Sequence, residues 1–324
     1  MDNALKSWAE GRNMRAAILG TEILPVIRDR LDKLAADGWL DAGFVRGSLS
    51  FFKGLSQEAA RRKRFLVLLA LPRPAYIVSF RYSGRIPDLV LPPTYVKYRA
   101  TGEAVNAAFR ADFSLNPDQA ELVSAPLKSL AAAAGLIRYG RNNIGYIPGW
   151  GSYFQLVGIL TDLPYGECSE PVPIEGQLLD RCRSCRACFL ACPTGAIAED
   201  RLLLRAELCY VLFSEARAPI PDTMPVPKPL CLIGCLACQQ ICPENRGRLR
   251  IEHSGETFSE TETEAMLTDP EEKRARAWTD IREKFASLGV SEDVRVYARN
   301  LRFLDERGFG AAGHPATGGP KAEL

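Results

Sequence analysis

The sequence predicts an α+β chain: a mixed α/β layer domain, then a cysteine-dense domain, then a short helical segment. Three observations carry this. Apolar runs of strand length at 65–71 and 154–160 are interspersed with helically spaced apolar residues across residues 1–165. Nine of the ten cysteines fall between Cys182 and Cys242. Residues 258–305 are rich in Glu and Arg and read as helix.

Taken in order, residues 12–45 predict a helix, with Ile18, Ile23, Leu24, Ile27, Leu31 and Leu34 at helical spacing, Pro25 as a break or kink, and Gly38 and Gly43 at its close. The run at 65–71 predicts a buried strand that stops at Pro72. Residues 72–98, rich in Pro and Tyr, predict a long irregular connection. Helices are expected at 101–111 and 126–135, with Pro126 in a first turn and Gly135 as a C-terminal cap. Gly140-Arg141-Asn142-Asn143 signals a turn, and strands are expected at 144–147 and 154–160 around Gly149-Trp150-Gly151-Ser152. The expected boundaries are 1–170 for the α/β domain, 171–250 for the cysteine domain, 251–307 for the helical segment and 308–324 for a disordered Gly/Ala/Pro-rich tail.

Lys and Arg total 41 against 39 Asp and Glu, so the net charge of +2 gives no global signal for nucleic acid or an anionic membrane. The run Arg61, Arg62, Lys63, Arg64 reads as a solvated helix end. No stretch approaches the roughly 18 apolar residues of a membrane span. The start, Met1 to Lys6, has neither a secretory pattern nor a twin-Arg signal, so the cytoplasm is the expected compartment and no membrane the expected partner. Only two histidines, His253 and His314, argue against His-based zinc sites and triads.

The cysteines carry the chemistry. Cys182-x2-Cys185-x2-Cys188-x3-Cys192-Pro193 is the bacterial ferredoxin spacing, in which three thiolates wrap one cubane and the fourth is led away to a second. Cys235-x2-Cys238-x3-Cys242-Pro243 repeats the last three positions. Structural zinc also uses CxxC pairs but does not need the full run. The spacing assigns Cys182, Cys185, Cys188 and Cys242 to cluster 1, and Cys192, Cys235 and Cys238 to cluster 2. Symmetry would put the last ligand at Leu232, so Cys231 and Cys209 remain as candidates. Cys168 lies outside both runs and reads as an incidental thiol. Two such clusters form an electron wire, and the long chain before them suggests a catalytic or cofactor domain at its end.

Several stretches together resemble the epoxyqueuosine reductases, relatives of the cobalamin-dependent reductive dehalogenases: Ser124-Ala125-Pro126, Ala134-Gly135-Leu136, Gly140-Arg141-Asn142, Gly151-Ser152-Tyr153-Phe154, Thr161-Asp162-Leu163, Cys192-Pro193-Thr194-Gly195-Ala196-Ile197, Cys209-Tyr210 and Cys238-Gln239-Gln240-Ile241-Cys242-Pro243-Glu244-Asn245. The resemblance implies a nitroreductase-like α/β domain holding base-off cobalamin, with Gly140, Arg141, Asn142, Gly151, Ser152 and Tyr153 as cofactor-binding positions. Apolar Ile144, Phe154 and Leu156 would cover the corrin face. It implies Cys209 as the last ligand of cluster 2 and leaves Cys231 spare. It also implies a low-potential electron donor of ferredoxin or flavodoxin type and a small-molecule or modified-base substrate.

Two departures matter. The family's catalytic Asp falls where this chain has Val123, which cannot donate a proton. The helical repeats that read tRNA have no counterpart in the sequence. Tyr139 and Tyr146, and beyond them Tyr95 and Tyr98, become candidate proton donors, and a gain of activity in Val123→Asp would mark the missing acid as the main loss. These departures leave tRNA a doubtful partner and a different substrate the expectation. The alternative is a cobalamin-independent, ferredoxin-type electron-transfer protein serving a partner enzyme.

Overall fold

The computed structural model describes residues 4–48, 63–85, 87–162, 168–173, 177–268, 275–290 and 293–307. Arg61, Arg62, Leu163 and the expected tail at 308–324 lie outside them. Among the described residues nine strands form: β1 Arg15–Gly20, β2 Phe65–Pro72, β3 Ala75–Phe80, β4 Asp88–Leu91, β5 Ala120–Leu122, β6 Arg138–Tyr139, β7 Gly145–Tyr146, β8 Phe154–Thr161 and β9 Ile251–Phe258. The chain packs as two compact units, one of residues 1–73, 98–209 and 238–249, the other of residues 74–97, 210–237 and 250–324.

In the first unit an antiparallel sheet runs in the order β1-β2-β8-β5. Its centre, β2, is apolar throughout because both faces are covered. Leu66 and Leu68 pack with Leu24 and Ile27 of helix Ile23–Ala36 and Leu130 of helix Leu127–Ala133. Val67 and Leu69 pack on the other side with Leu5 and Ala9 of helix Ala4–Glu10 and Phe109 of helix Tyr98–Asp112. Each such aliphatic burial stabilises by roughly 1.5–3 kcal/mol.

The expected single helix over 12–45 is corrected. Ile18 lies in β1, paired with Val67. The short apolar run at 16–19 has a ready partner in β2, and tertiary pairing overrides the helical reading. The chain then turns at Thr21, which bonds to the Lys63 and Arg64 carbonyls, and the helix starts at Ile23. Pro25 sits in the first turn, where its missing N–H costs nothing, so it does not break the helix.

The second unit holds a sheet ordered β4-β3-β9, with β3 antiparallel to β4 and parallel to β9. The expected irregular stretch at 72–98 is therefore corrected in part. Ala75, Ile77, Val78 and Phe80 of β3 are buried and only Tyr76 and Ser79 half-buried, a strand covered on both faces that the flanking prolines obscured. The polar, largely exposed β9 carries almost no apolar signal. Behind the sheet, helices Glu260–Thr268, Ala275–Ser287 and Val294–Asp305 close a core in which Phe80 stacks on Phe258 at 4.8 Å and Phe285 on Tyr297 at 4.5 Å. The helical expectation for 258–305 is realised as these three helices.

Candidate metal centre

In the first unit Cys182, Cys185, Cys188 and Cys242 line one cavity. Tight local turns put them there. Cys182 lies in the 3-10 turn Asp180–Arg183, and the Cys185 amide returns to the Arg181 carbonyl at 3.1 Å. Cys188 is on helix Ala187–Ala191, and Cys242 precedes the turn Pro243–Asn245. Burial first, and then the neighbouring Cys182, Cys242 and Cys185, together push the Cys188 thiol up to about 11. Cys182 is raised for the same reasons. Four thiolates in one cavity are therefore unstable unless a cationic core neutralises them, and a metal reverses the shift by displacing the protons. Among the described residues no group of three or more His, Cys, Asp or Glu side chains is arranged to hold a single ion. A lone zinc would draw its sulfurs to about 2.3 Å.

The wall opposite the cysteines is the Gly140-Arg141-Asn142 turn with Tyr146. A Cβ on Gly140 would come within 2.5 Å of both Asn142 Oδ1 and Tyr146 Cε2, so only glycine fits. Arg141 Nη2 donates to the Cys182 carbonyl at 3.0 Å and Nη1 to the Glu199 carbonyl at 3.5 Å. Asn142 Nδ2 donates to the Tyr146 hydroxyl at 2.9 Å and the Cys238 carbonyl at 3.3 Å. Tyr146 is 1% exposed. Burial first, then Cys242, raises its pKa well above the usual range for a phenol. Ion pairs ring the site: Arg181–Glu244 at 2.7 Å, Arg138–Asp180 at 2.9 Å and Arg186–Glu199 at 2.6 Å.

Gly151, Ser152 and Tyr153 are engaged nearby. The Ser152 amide donates to Asn245 Oδ1 at 2.8 Å, and its hydroxyl to Gln239 Oε1 at 2.9 Å. Gly151 has φ +75°, and a Cβ there would run into Asn245. Tyr153 is buried and its pKa raised, by burial first and then by Cys238 and Cys242. The two motifs most particular to the resemblance thus grip one another.

The remaining expected residues are placed as follows. Cys192 is half-buried, 3.7 Å from Thr194 Oγ1, and half-buried Cys209 follows the turn Ala206–Leu208. Cys238 is half-buried in the same unit. Cys235 belongs to the second unit, half-buried against its core, and Cys231 is buried there with its sulfur 3.6 Å from the Pro229 carbonyl. Cys168 is exposed. Val123 lies in the apolar cluster with Leu66 and Leu127, its amide bonded to the Gly158 carbonyl. The Tyr139 hydroxyl is 3.5 Å from Ser129 Oγ and its pKa is raised by burial. Tyr95 bonds Glu215, and Tyr98 is 42% exposed.

Sequence reasoning missed Lys128. Its ammonium donates to the Asn143 carbonyl at 2.7 Å, and burial lowers it to about 8 against the opposing pull of Cys209. A lone cation in the otherwise uncharged helix Leu127–Ala133 was the available signal.

Residues 181–245 match the family of the 4Fe-4S double cluster binding domain. Fold and site together define an α+β protein bearing a two-cluster iron–sulfur domain. The wider chain is 28% identical over 236 residues to epoxyqueuosine reductase of Bacillus subtilis (strain 168), covering 65% of this chain and 58% of that protein. It is 32% identical over 187 residues to epoxyqueuosine reductase of Escherichia coli K12, covering 56% and 44%. A solved structure of the Bacillus subtilis enzyme superposes with a TM-score of 0.62 at 19% identity, over 93% of this chain and 81% of that one. The chain spans about half the length of the curated relatives it matches. The chain is thus similar to the epoxyqueuosine reductases, at 28% and 32% identity over part of its length. No helix among the described residues is long and apolar enough to cross a membrane.

Proposed function

We propose that this chain is an iron–sulfur oxidoreductase that passes electrons singly through two [4Fe–4S] clusters to a reductive site on its α/β scaffold, in the cytoplasm. The observation that carries the reading is the meeting of Cys182, Cys185 and Cys188 with the distant Cys242 around one cavity. These four hold cluster 1. Cys192, Cys209, Cys235 and Cys238 hold cluster 2, a set that rests on the spacing and the resemblance. The clusters supply low-potential one-electron transfer. Gly140, Asn142 and Tyr146 shape the wall.

The nitroreductase-like architecture and base-off cobalamin come with the family. Cobalamin, where bound, supplies a strongly nucleophilic reduced cobalt. The side chains of Asn142 and Ser152 are already bonded to the cysteine segments, so at those positions a corrin would meet mostly backbone. That engagement favours, as the second reading, a cobalamin-independent electron-transfer protein serving a partner enzyme. A ferredoxin- or flavodoxin-type donor feeds the wire in either case.

The substrate differs from epoxyqueuosine in tRNA, because Val123 brings no acid and is packed in the core. A small molecule or another modified base fits better. Titration of anaerobic holoprotein with cobalamin separates the readings. A shift of the corrin visible band on base displacement, at micromolar protein, supports the cobalamin-assisted reductase, and no shift supports the plain electron carrier.

A further inference from the structure

The Arg141 guanidinium is fixed at both ends but has a gap in its middle. Nη2 is held by the Cys182 carbonyl at 3.0 Å and Nη1 by the Glu199 carbonyl at 3.5 Å. Nε is buried and has no hydrogen-bond partner. A buried donor of a charged group left unpaired forfeits its hydration with nothing in return, so such a group calls for an acceptor. Arg141 lines the same cavity as Cys182, Cys185, Cys188 and Cys242, and what fills a four-thiolate cavity is rich in sulfur acceptors.

We infer that Arg141 Nε donates an N–H···S hydrogen bond to cluster 1, making Arg141 a residue that positions and tunes that cluster rather than one that binds a corrin or an anionic substrate. The inference rests on the two-cluster reading above. A cluster gains one negative charge on reduction. A fixed cation and an N–H donor at its sulfurs stabilise the reduced form more than the oxidised form, and so raise its potential. The bonds to the Cys182 and Glu199 carbonyls hold the guanidinium in place for this, at no cost in side-chain ordering when the cluster changes charge.

The test is a redox titration of anaerobic holoprotein, followed by paramagnetic resonance, on the wild type, Arg141→Met and Arg141→Lys. Cys182→Ser marks which signal belongs to cluster 1. Arg141→Met is expected to keep iron and sulfide at wild-type levels while the cluster 1 midpoint moves to more negative potential and that of cluster 2 stays put. Arg141→Lys, which keeps the charge but loses Nε–H, is expected to fall between. Should Arg141→Met fail to hold its clusters, the downward shift in Arg141→Lys decides. Unchanged midpoints in a variant with full iron overturn the inference. A wild type without two four-iron clusters would instead sink the underlying reading.

Discussion

Asn245 and Ser152 exchange two hydrogen bonds: Asn245 Oδ1 accepts from the Ser152 amide at 2.8 Å, and Asn245 Nδ2 donates to the Ser152 hydroxyl at 2.8 Å. A third bond takes Nδ2 to the Gln239 carbonyl, also at 2.8 Å. Asn245 is 4% exposed, so none of the three is replaced by water when it is lost. Asn245→Ala is expected to destabilise by about 3 kcal/mol and to lower iron retention, since the Cys242 turn is released. Asn245→Asp keeps the acceptor and loses the donor, and should fall between. Thermal unfolding of anaerobic protein with parallel iron assay reads both, and a wild-type melting point in Asn245→Ala contradicts the account.

Gly140→Ala places a methyl within 2.5 Å of Asn142 Oδ1 and Tyr146 Cε2, which are held by their own bonds. The wall of the cysteine cavity must shift. Iron is expected to fall toward about four atoms per chain as cluster 1 is lost and cluster 2 kept. Equal loss of both clusters, or none, would show that this turn does not serve cluster 1.

Val123→Asp was the obvious repair for a missing acid, and the structure argues against it. The side chain sits in a dry cluster with Leu66 and Leu127, so the change would bury a carboxylate with no partner. The expected cost is on the order of 3–5 kcal/mol, with no gain in reduction of epoxyqueuosine tRNA, on which the wild type is also expected to be slow. Efficient turnover of that substrate by the wild type or the variant would refute this.

In the second unit Glu262 accepts from Lys284 Nζ and from the Ser259 amide, each at 2.6 Å. Burial alone would raise its pKa, but these bonds outweigh it and the net shift is downward. A lowered carboxylate contributes stability that is complete above the ordinary value of 4.5 and is lost only as pH falls through the folded pKa. Glu262→Gln should therefore be less stable by about 3 kcal/mol, and by the same amount at every pH between about 5 and 8. Hydrogen exchange at Ser259 reports it. A difference that shrinks as pH falls from 7 to 5 would mean a raised pKa.

The cysteine framework was legible because ligand spacing is set by chemistry rather than by packing. Strand β2 was legible because its two faces are both covered, which writes an unbroken apolar run. Strand β1 was not, since six residues flanked by a helix share that helix's apolar spacing until β2 is seen beside them. Strand β9 was hidden because its residues are mostly polar and its place depends on pairing with β3. The roles of Arg141, Asn142 and Ser152 were illegible for another reason. Sequence marked them as functional, but their partners lie about 40 to 95 positions away, at Cys182, Cys238 and Asn245.

The most direct measurement is iron and acid-labile sulfide per chain in anaerobically purified protein, with zinc assayed in the same sample. About eight iron and eight sulfide are expected, falling in Cys209→Ser and unchanged in Cys231→Ser. Stoichiometric zinc with little iron would contradict the account at its centre.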